Sequence, residues 1–429
     1  MRQTSLLIGA LLFLVFGSTA DAQQPSDEPP KIEVSVHFTS LAGPEIQPAF
    51  SHKVINSESG LGARFSYNLT KHVALEAEGN LFVRGGSDFG RTAPNVQGQF
   101  GVKAGKRFER FGFFAKARPG LLSVGDTLIQ TGTQTVETGF PFPPTTFPVF
   151  EVRRKNFFTV DVGGVLEFYP SRRVLVRFDA GDTIVHGGGL RSISFSDLPG
   201  PSLSPITHNF QFSSGVAFRF RDPEPAAAGA DLVSSDVERK FEAGVHFTSL
   251  RLRLWSETQL PALGFDGEAT QSGFGGRLTY NFTRSIAAEV QTDFFPKDLS
   301  SFANGRAGGR MIQVQAGPKI GKRFEKFGVF GKVQPGAVSF SKTIKWNFVP
   351  SPLNPTLQIE RRTFFSLDVG GVLEFYPTPR IVTRFDGGDT IIYYDSTQVP
   401  FLTLRMPIIE MPAKRRHQFR FSAGVGFRF

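Results

Sequence analysis

From residue 31 onward the chain alternates apolar and polar side chains with a period of two, the repeat of a pleated strand rather than a helix. In residues 211–220, Phe212, Ser214, Val216, Phe218 and Phe220 share one side, and Gln211, Ser213, Gly215, Ala217 and Arg219 share the other. Val160, Val162, Gly164, Leu166 and Phe168 likewise oppose Asp161, Gly163, Val165 and Glu167. Val73, Leu75, Ala77 and Leu81 oppose Glu76, Glu78 and Asn80. Such segments predict eight strands, near 31–41, 60–68, 73–84, 96–106, 112–123, 156–168, 173–185 and 208–220. Tight turns are expected at 68–72, around Glu109 and at 169–173; the other connections, roughly 42–59, 85–95, 124–155 and 186–207, are long. An even strand number puts both ends of the unit on the short-turn side.

The whole pattern then repeats. Lys31–Leu41 recurs as Lys240–Leu250, Gly105–Glu109 as Gly321–Glu325, and Arg177–Thr183 as Arg384–Thr390. Asp161–Pro170 recurs unchanged as Asp368–Pro377, and Phe218-Arg-Phe220 as Phe427-Arg-Phe429. So long a period is a duplicated domain, not a solenoid repeat. The expected organisation is a signal peptide (1–22), an N-terminal tail (23–30), a first unit (31–220), a linker (221–239) rich in Ala, Pro and charge, and a second unit (240–429).

Composition narrows the class. Phe occurs 47 times and Gly 46 times, against 2 Trp and 6 Tyr, so the chain has ample apolar surface to bury and is not a disordered one. Zero cysteines exclude disulfides and thiolate chemistry, and 7 scattered histidines make a poor metal site. The net charge of +10 raises nucleic acid as a partner, but the N-terminus argues against it. Arg2, the apolar run from Leu6 to Phe16 and the small-x-small Ala20-Asp21-Ala22 form an export signal, with the mature chain expected to begin at Gln23. No later run approaches the ~18 apolar residues of a spanning helix. A soluble periplasmic, a secreted and a membrane β-barrel protein remain open.

The polar parity separates these. In the first unit it carries Glu33, Glu76, Glu78, Asp161, Glu167 and Asp179 against Arg64, Lys103, Lys116, Arg118, Arg177 and Arg219. In the second it carries Glu242, Glu289, Asp293, Asp368, Glu374 and Asp386 against Arg277, Lys319, Lys332, Arg384, Arg420 and Arg428. That is six against six each time, although Glu78 and Asn80 correspond to Gln291 and Asp293. Buried ions are tolerated when paired, and eight strands enclose only enough space for side chains. A balanced, paired set therefore fits a narrow barrel lumen, with His37 and His246 as hydrogen-bonding members. The competing reading is the solvated face of a soluble sandwich.

The Gly215–Phe220 and Gly424–Phe429 endings and the two Gly-Gly-Val-Leu-Glu-Phe-Tyr-Pro strands resemble the bacterial outer-membrane β-barrel domain family, the eight-stranded opacity-type and OmpA-type class. The resemblance implies an all-β fold of two tandem eight-stranded antiparallel transmembrane barrels. It also implies an outer-membrane location in a Gram-negative-type bacterium, with periplasmic termini. Phe427 and Phe429, with Val425 and Ala423, are similar to the terminal signal read by the outer-membrane assembly machinery. Outer-membrane lipid, that machinery and an extracellular ligand contacting the long loops are the implied partners. The tandem departs from the family's usual single barrel. One sixteen-stranded, porin-like barrel conducting small solutes is the alternative; a 19-residue linker and a complete terminal strand in each unit argue for two barrels.

Catalytic candidates are thin. His186, Ser192 and Asp197 allow a hydrolase triad to be drawn in a long loop, but Tyr393 replaces His186 in the second unit. Asp182 falls on the lipid-facing parity and suggests a rim or a bulge. Asn68-Leu-Thr70 and Asn281-Phe-Thr283 match a glycosylation sequon but sit in expected tight turns, where Asn has a turn role. The basic Gly105-Lys-Arg107 segment reads as a periplasmic turn. The Pro-stiffened apolar segments Phe140–Pro144, Phe147–Phe150 and Trp346–Pro350 are either a contact site or a cover over the barrel mouth. No cofactor motif is present. The function expected is non-catalytic: structure, surface-loop display or adhesion.

Overall fold

The computed structural model describes residues 30–42, 57–82, 93–136, 145–186, 206–220, 239–254, 267–299, 307–347, 356–399 and 409–429. The expected signal peptide, Ser192, Asp197, Phe140–Pro144 and linker residues 221–238 lie outside them. The first unit contains β1 (Ile32–Leu41), β2 (Glu58–Asn68), β3 (Val73–Phe82), β4 (Asn95–Arg107), β5 (Phe111–Val136), β6 (Thr145–Phe168), β7 (Val174–His186) and β8 (Ile206–Phe220). The second contains β9 (Phe241–Leu254), β10 (Gly267–Asn281), β11 (Ile286–Leu299), β12 (Gly309–Arg323), β13 (Phe327–Asn347), β14 (Thr356–Phe375), β15 (Ile381–Tyr394), a small hairpin of β16 (Thr397–Val399) and β17 (Ile409–Met411), and β18 (Lys414–Arg428).

Every neighbouring pair is antiparallel, and each unit closes on itself. β8 returns to β1, with Val34 opposite Phe218 and His37 opposite Gly215. β18 returns to β9, with Val245 opposite Val425 and His246 opposite Gly424. The protein is therefore two closed eight-stranded barrels, and the sixteen-stranded alternative is overturned, because β8 spends its edge on β1 rather than on β9. Over the closed part of each barrel the strands are paired on both edges, the arrangement that hydrocarbon surroundings require.

The alternation sets which side chains point where. Leu61, Phe65, Phe100, Phe113, Leu121 and Phe158 are exposed on the outside of the first barrel, and Val245, Phe274, Leu278, Val290, Ile320 and Phe365 on that of the second. These outer walls are apolar bands of the kind that face lipid.

Two expectations need correction. The connection placed at 124–155 is mostly strand: β5 is 26 residues long and β6 is 24, so the apolar segment Phe147–Phe150 lies within β6. Trp346 lies likewise in β13. A spanning strand needs only about 9–11 residues, so this hairpin is longer than crossing a bilayer would require. The turn chemistry also differs from expectation. In the turns 69–72 and 282–285 it is Thr70 and Thr283, not the asparagines, whose hydroxyl oxygens accept backbone N–H groups, at 3.0–3.1 Å. Asn68 is buried and donates from its side chain to the Pro30 carbonyl at 2.6 Å, tying β2 to the segment that enters β1.

Candidate functional site

The interior of each barrel is filled in layers, and the middle layer is ionic. Strands β3, β5, β6 and β7 aim Glu76, Glu78, Lys116, Arg118, Asp161, Arg177 and Asp179 at one another, because these sit on the inward parity at similar heights. Arg64 donates to Glu78 at 2.7 Å and also pairs with Asp179. Arg118 bridges Glu78 and Asp161, the latter at 2.6 Å, and Lys116 meets Asp161 at 2.7 Å. Arg177 clamps Glu76 at 2.9 Å and Asp179 at 2.9 Å, while Lys103 reaches Glu167 at 2.5 Å. All are almost completely buried. Glu33 receives Arg219 at 3.4 Å near the short-turn end. His37 contacts Asn80 Oδ1 at 2.8 Å, and a Cβ on Gly62 would overlap both partners, so the glycine makes room for the imidazole.

The second barrel keeps the plan with one rearrangement. Arg384 holds Glu289 at 2.8 Å and also Asp386; Lys319 meets Glu374 at 2.6 Å; Arg428 meets Glu242 at 2.8 Å. Lys332 lies 3.1 Å from Asp368 and 3.3 Å from Asp386, and Arg277 lies 3.3 Å from Asp386. Where barrel 1 has Arg118 on β5 and Gln211 on β8, barrel 2 has Gln334 on β13 and Arg420 on β18. Its acid has moved as well, from the level of Glu78 to Asp293. Arg420 now meets Asp293 at 3.1 Å and Asp368 at 3.1 Å, and His246 also contacts Asp293. Cation and anion relocated together, as expected where each buried charge must keep a partner.

Parity reasoning missed several members. Arg107 and Arg323, at the ends of β4 and β12, point inward and lie 3.4 Å from Glu33 and 3.2 Å from Glu242. Arg107 and Arg323 thus each add an inward cation to the six that parity assigned to their barrel. Arg107 continues the inward series Lys103, Gly105, so the same alternation carried the signal; reading the segment as a turn hid it. Tyr169 and Tyr376 follow the inward-facing Glu167 and Glu374 and donate to them at 2.8 Å each. Burial, reinforced by the neighbouring carboxylate, raises both phenol pKa values, so they remain protonated donors. Arg219 and Arg428 stack over these rings at 4.0 and 4.2 Å.

Above the ions lies an amide level: Asn80 and Gln211 both donate to Gln97, at 2.9 and 3.1 Å. At the long-loop end the lumen becomes apolar. Leu41, Phe82, Leu122, Val124, Phe157 and Val185 close barrel 1. Leu250, Phe295, Val338, Phe340, Phe364 and Ile392 occupy the matching place in barrel 2, within a larger cluster. Sequence reading did not anticipate these stoppers, since an apolar inward residue breaks the polar-in, apolar-out rule.

The remaining candidates fall elsewhere. Phe427 and Phe429 are exposed, and Phe429 exchanges backbone hydrogen bonds with Phe241 at 2.9 and 3.2 Å, finishing the β18–β9 seam. Asp182 is neither buried nor bulged: at the long-loop end of β7 it contacts His208 at 2.5 Å and accepts the Asn209 N–H at 2.9 Å. Asp389 and His417 repeat this contact. His186 ends β7 on the surface. Among the described residues no three metal-ligating side chains converge.

No protein-family model matches the sequence, and no curated protein does. Solved structures with similar folds include Ail, the attachment invasion locus protein of Yersinia pestis, at 15% identity, covering 44% of this chain and 99% of that one, with a TM-score of 0.25. The N-terminal β-barrel domain of Pseudomonas aeruginosa OprF matches at 12% identity over 44% of this chain and 98% of that one, TM-score 0.23. The CymD monoaromatic hydrocarbon channel matches at 9% identity over 94% and 89%, TM-score 0.30. At such identities and TM-scores these likenesses say nothing about what this chain does.

Proposed function

We propose that the chain is a non-catalytic outer-membrane protein whose two plugged barrels hold long-loop surfaces outside the cell, in a structural, display or adhesive role. The filled lumen carries this reading. Ion pairs, amides and an apolar stopper occupy each interior in turn, leaving eight strands no room for a water column. The apolar outer walls support membrane insertion, and the short turns support a periplasmic side that also holds both termini. The projecting β5–β6 hairpin, exposed on both faces at Gly132–Thr135, supports contact with an extracellular ligand. Lipid and the outer-membrane assembly machinery are the other partners of this reading; nucleic acid has no place in it.

The test is purification from outer membranes followed by planar-bilayer recording. The protein should resist salt extraction, migrate differently on gels with and without boiling, and give no porin-sized conductance steps. Recovery as a soluble protein, or large stable steps, overturns the proposal.

A further inference from the structure

One patch of outward residues on β1, β7 and β8 departs from the rest of the wall. Phe38, Ser40, Val176, Phe178, Phe212 and Ser214 sit on the parity that elsewhere faces lipid, yet their exposure runs only from 0 to 9%, against 59% for Phe100 and 57% for Leu121. They are covered by the second barrel. Phe38 stacks on Phe421 at 4.0 Å, and Phe212 stacks on Phe247 at 4.2 Å. Phe247 occupies in barrel 2 the place of Phe38, and Phe421 that of Phe212, so the two contacts are one contact made twice, in opposite directions. Phe178 faces its own counterpart, Phe385, at 6.0 Å with rings 8° from parallel.

The hydroxyl contacts repeat the same logic. Ser40 meets Ser272 at 2.8 Å, and Ser59 meets Ser249 at 2.6 Å. Ser40 pairs with Ser59 across β1 and β2, and Ser249 pairs with Ser272 across β9 and β10, so these too are equivalent. Ser57 donates to the carbonyl of its counterpart Thr270 at 2.5 Å. Residue i touching j′ while j touches i′, with self-pairs on the axis, is the signature of an isologous twofold interface. Small residues at its centre, Ser214 and Ala423, let the walls approach, as close packing between elements in lipid requires.

We propose that this face is a self-complementary association surface, and that its partner chemistry is a second copy of the same barrel. Barrel 1 docks on barrel 2 as it would dock on another barrel 1, and the linker converts a dimer into one chain. The inference rests on the closed-barrel reading, and goes beyond it by naming what the wall binds.

The chain has no native cysteine, which makes cross-linking clean. A protease site within residues 222–238 of the full chain, with separate tags ahead of residue 31 and ahead of residue 240, allows nicking after assembly. In mild detergent the nicked barrels should co-purify. A Ser40→Cys/Ser272→Cys variant should stay joined after nicking, boiling and omission of reductant, whereas Ser40→Cys/Ser249→Cys should come apart. Nicked proteins carrying Ser40→Cys and Ser59→Cys separately are then mixed, dissociated in a harsher detergent and returned to the mild one. A barrel 1–barrel 1 disulfide should form between the two populations and not within the Ser40→Cys population alone. Nicked barrels that part at once, or absence of that mixed disulfide, overturns the proposal. Gel migration of each nicked barrel before and after boiling reports closure independently, so failure of association is distinguishable from failure of the barrel fold.

Discussion

Arg118 and Arg420 neutralise equivalent clusters from different strands, and this makes the ionic layer testable by exchange. Arg118→Gln leaves Glu78 and Asp161 short of a partner, and should cost about 3–5 kcal/mol in the urea-induced unfolding of vesicle-inserted protein. Adding Gln211→Arg, Glu78→Gln and Asn80→Asp rebuilds the arrangement of barrel 2 and should restore most of that loss; a quadruple variant no more stable than the single one would refute the pairing. Tyr169 and Tyr376 give a second residue-level expectation. Their phenols are held above the ordinary value of 10.0 by burial and by Glu167 and Glu374. A raised folded pKa means that the contribution is fully present below pH 10 and is lost as pH climbs past it. Unfolding midpoints should therefore fall between about pH 10 and 12, and the Tyr169→Phe/Tyr376→Phe protein should show a shallower fall. The inward charges were legible because the pleat has a period of two. The tyrosines were not, because a phenol next to Pro170 or Pro377 reads equally well as an interfacial ring.

Among the strands, β5 and β6 outgrow their sequence signal. Alternation marks a strand only where its two sides meet different surroundings. At Thr131–Thr135 both sides of the hairpin are exposed, so the pattern fades there while the ladder continues through Thr127–Arg153 to Val136–Thr145. The apolar stoppers escaped notice for the converse reason: both sides are apolar there, and alternation vanishes again. Excising Leu128–Val152 and bridging with Asn-Gly should leave the gel shift on boiling unchanged and the unfolding midpoint within about 0.5 kcal/mol of the parent. Loss of the folded band would mean that the hairpin belongs to the barrel's stability rather than to its surface.

For the whole molecule, the repeat and the direction of the walls were legible in the sequence, whereas two closures were expected against the alternative of one sixteen-stranded barrel and were decided by the β8–β1 and β18–β9 pairings. The contact between the barrels was illegible, since a phenylalanine facing lipid and one facing another barrel obey the same parity. The terminal strand supplies a prediction at this scale. Phe429→Asp places a charge where the lipid-side cost is only about 0–1 kcal/mol. A larger fall in folded yield from cells, with refolding from urea into vesicles unaffected, would assign Phe429 to recognition during assembly. Equal losses in both settings would assign it to the seam with Phe241.

The migrated arginine also imposes an order of events. In barrel 1, Glu78 draws its cations from Arg64 and Arg118, so its charge is answered once five strands are in place. In barrel 2, Asp293 is answered by Arg420 on the last strand. Until β18 arrives, Asp293 keeps its contacts with His246 and Gln291 but lacks its arginine, so a seven-stranded intermediate is penalised twice, by an open edge and by an interior carboxylate without its full-charge partner. The second barrel thus has a built-in check on completeness: the strand that carries the terminal phenylalanine is also the one that discharges the interior.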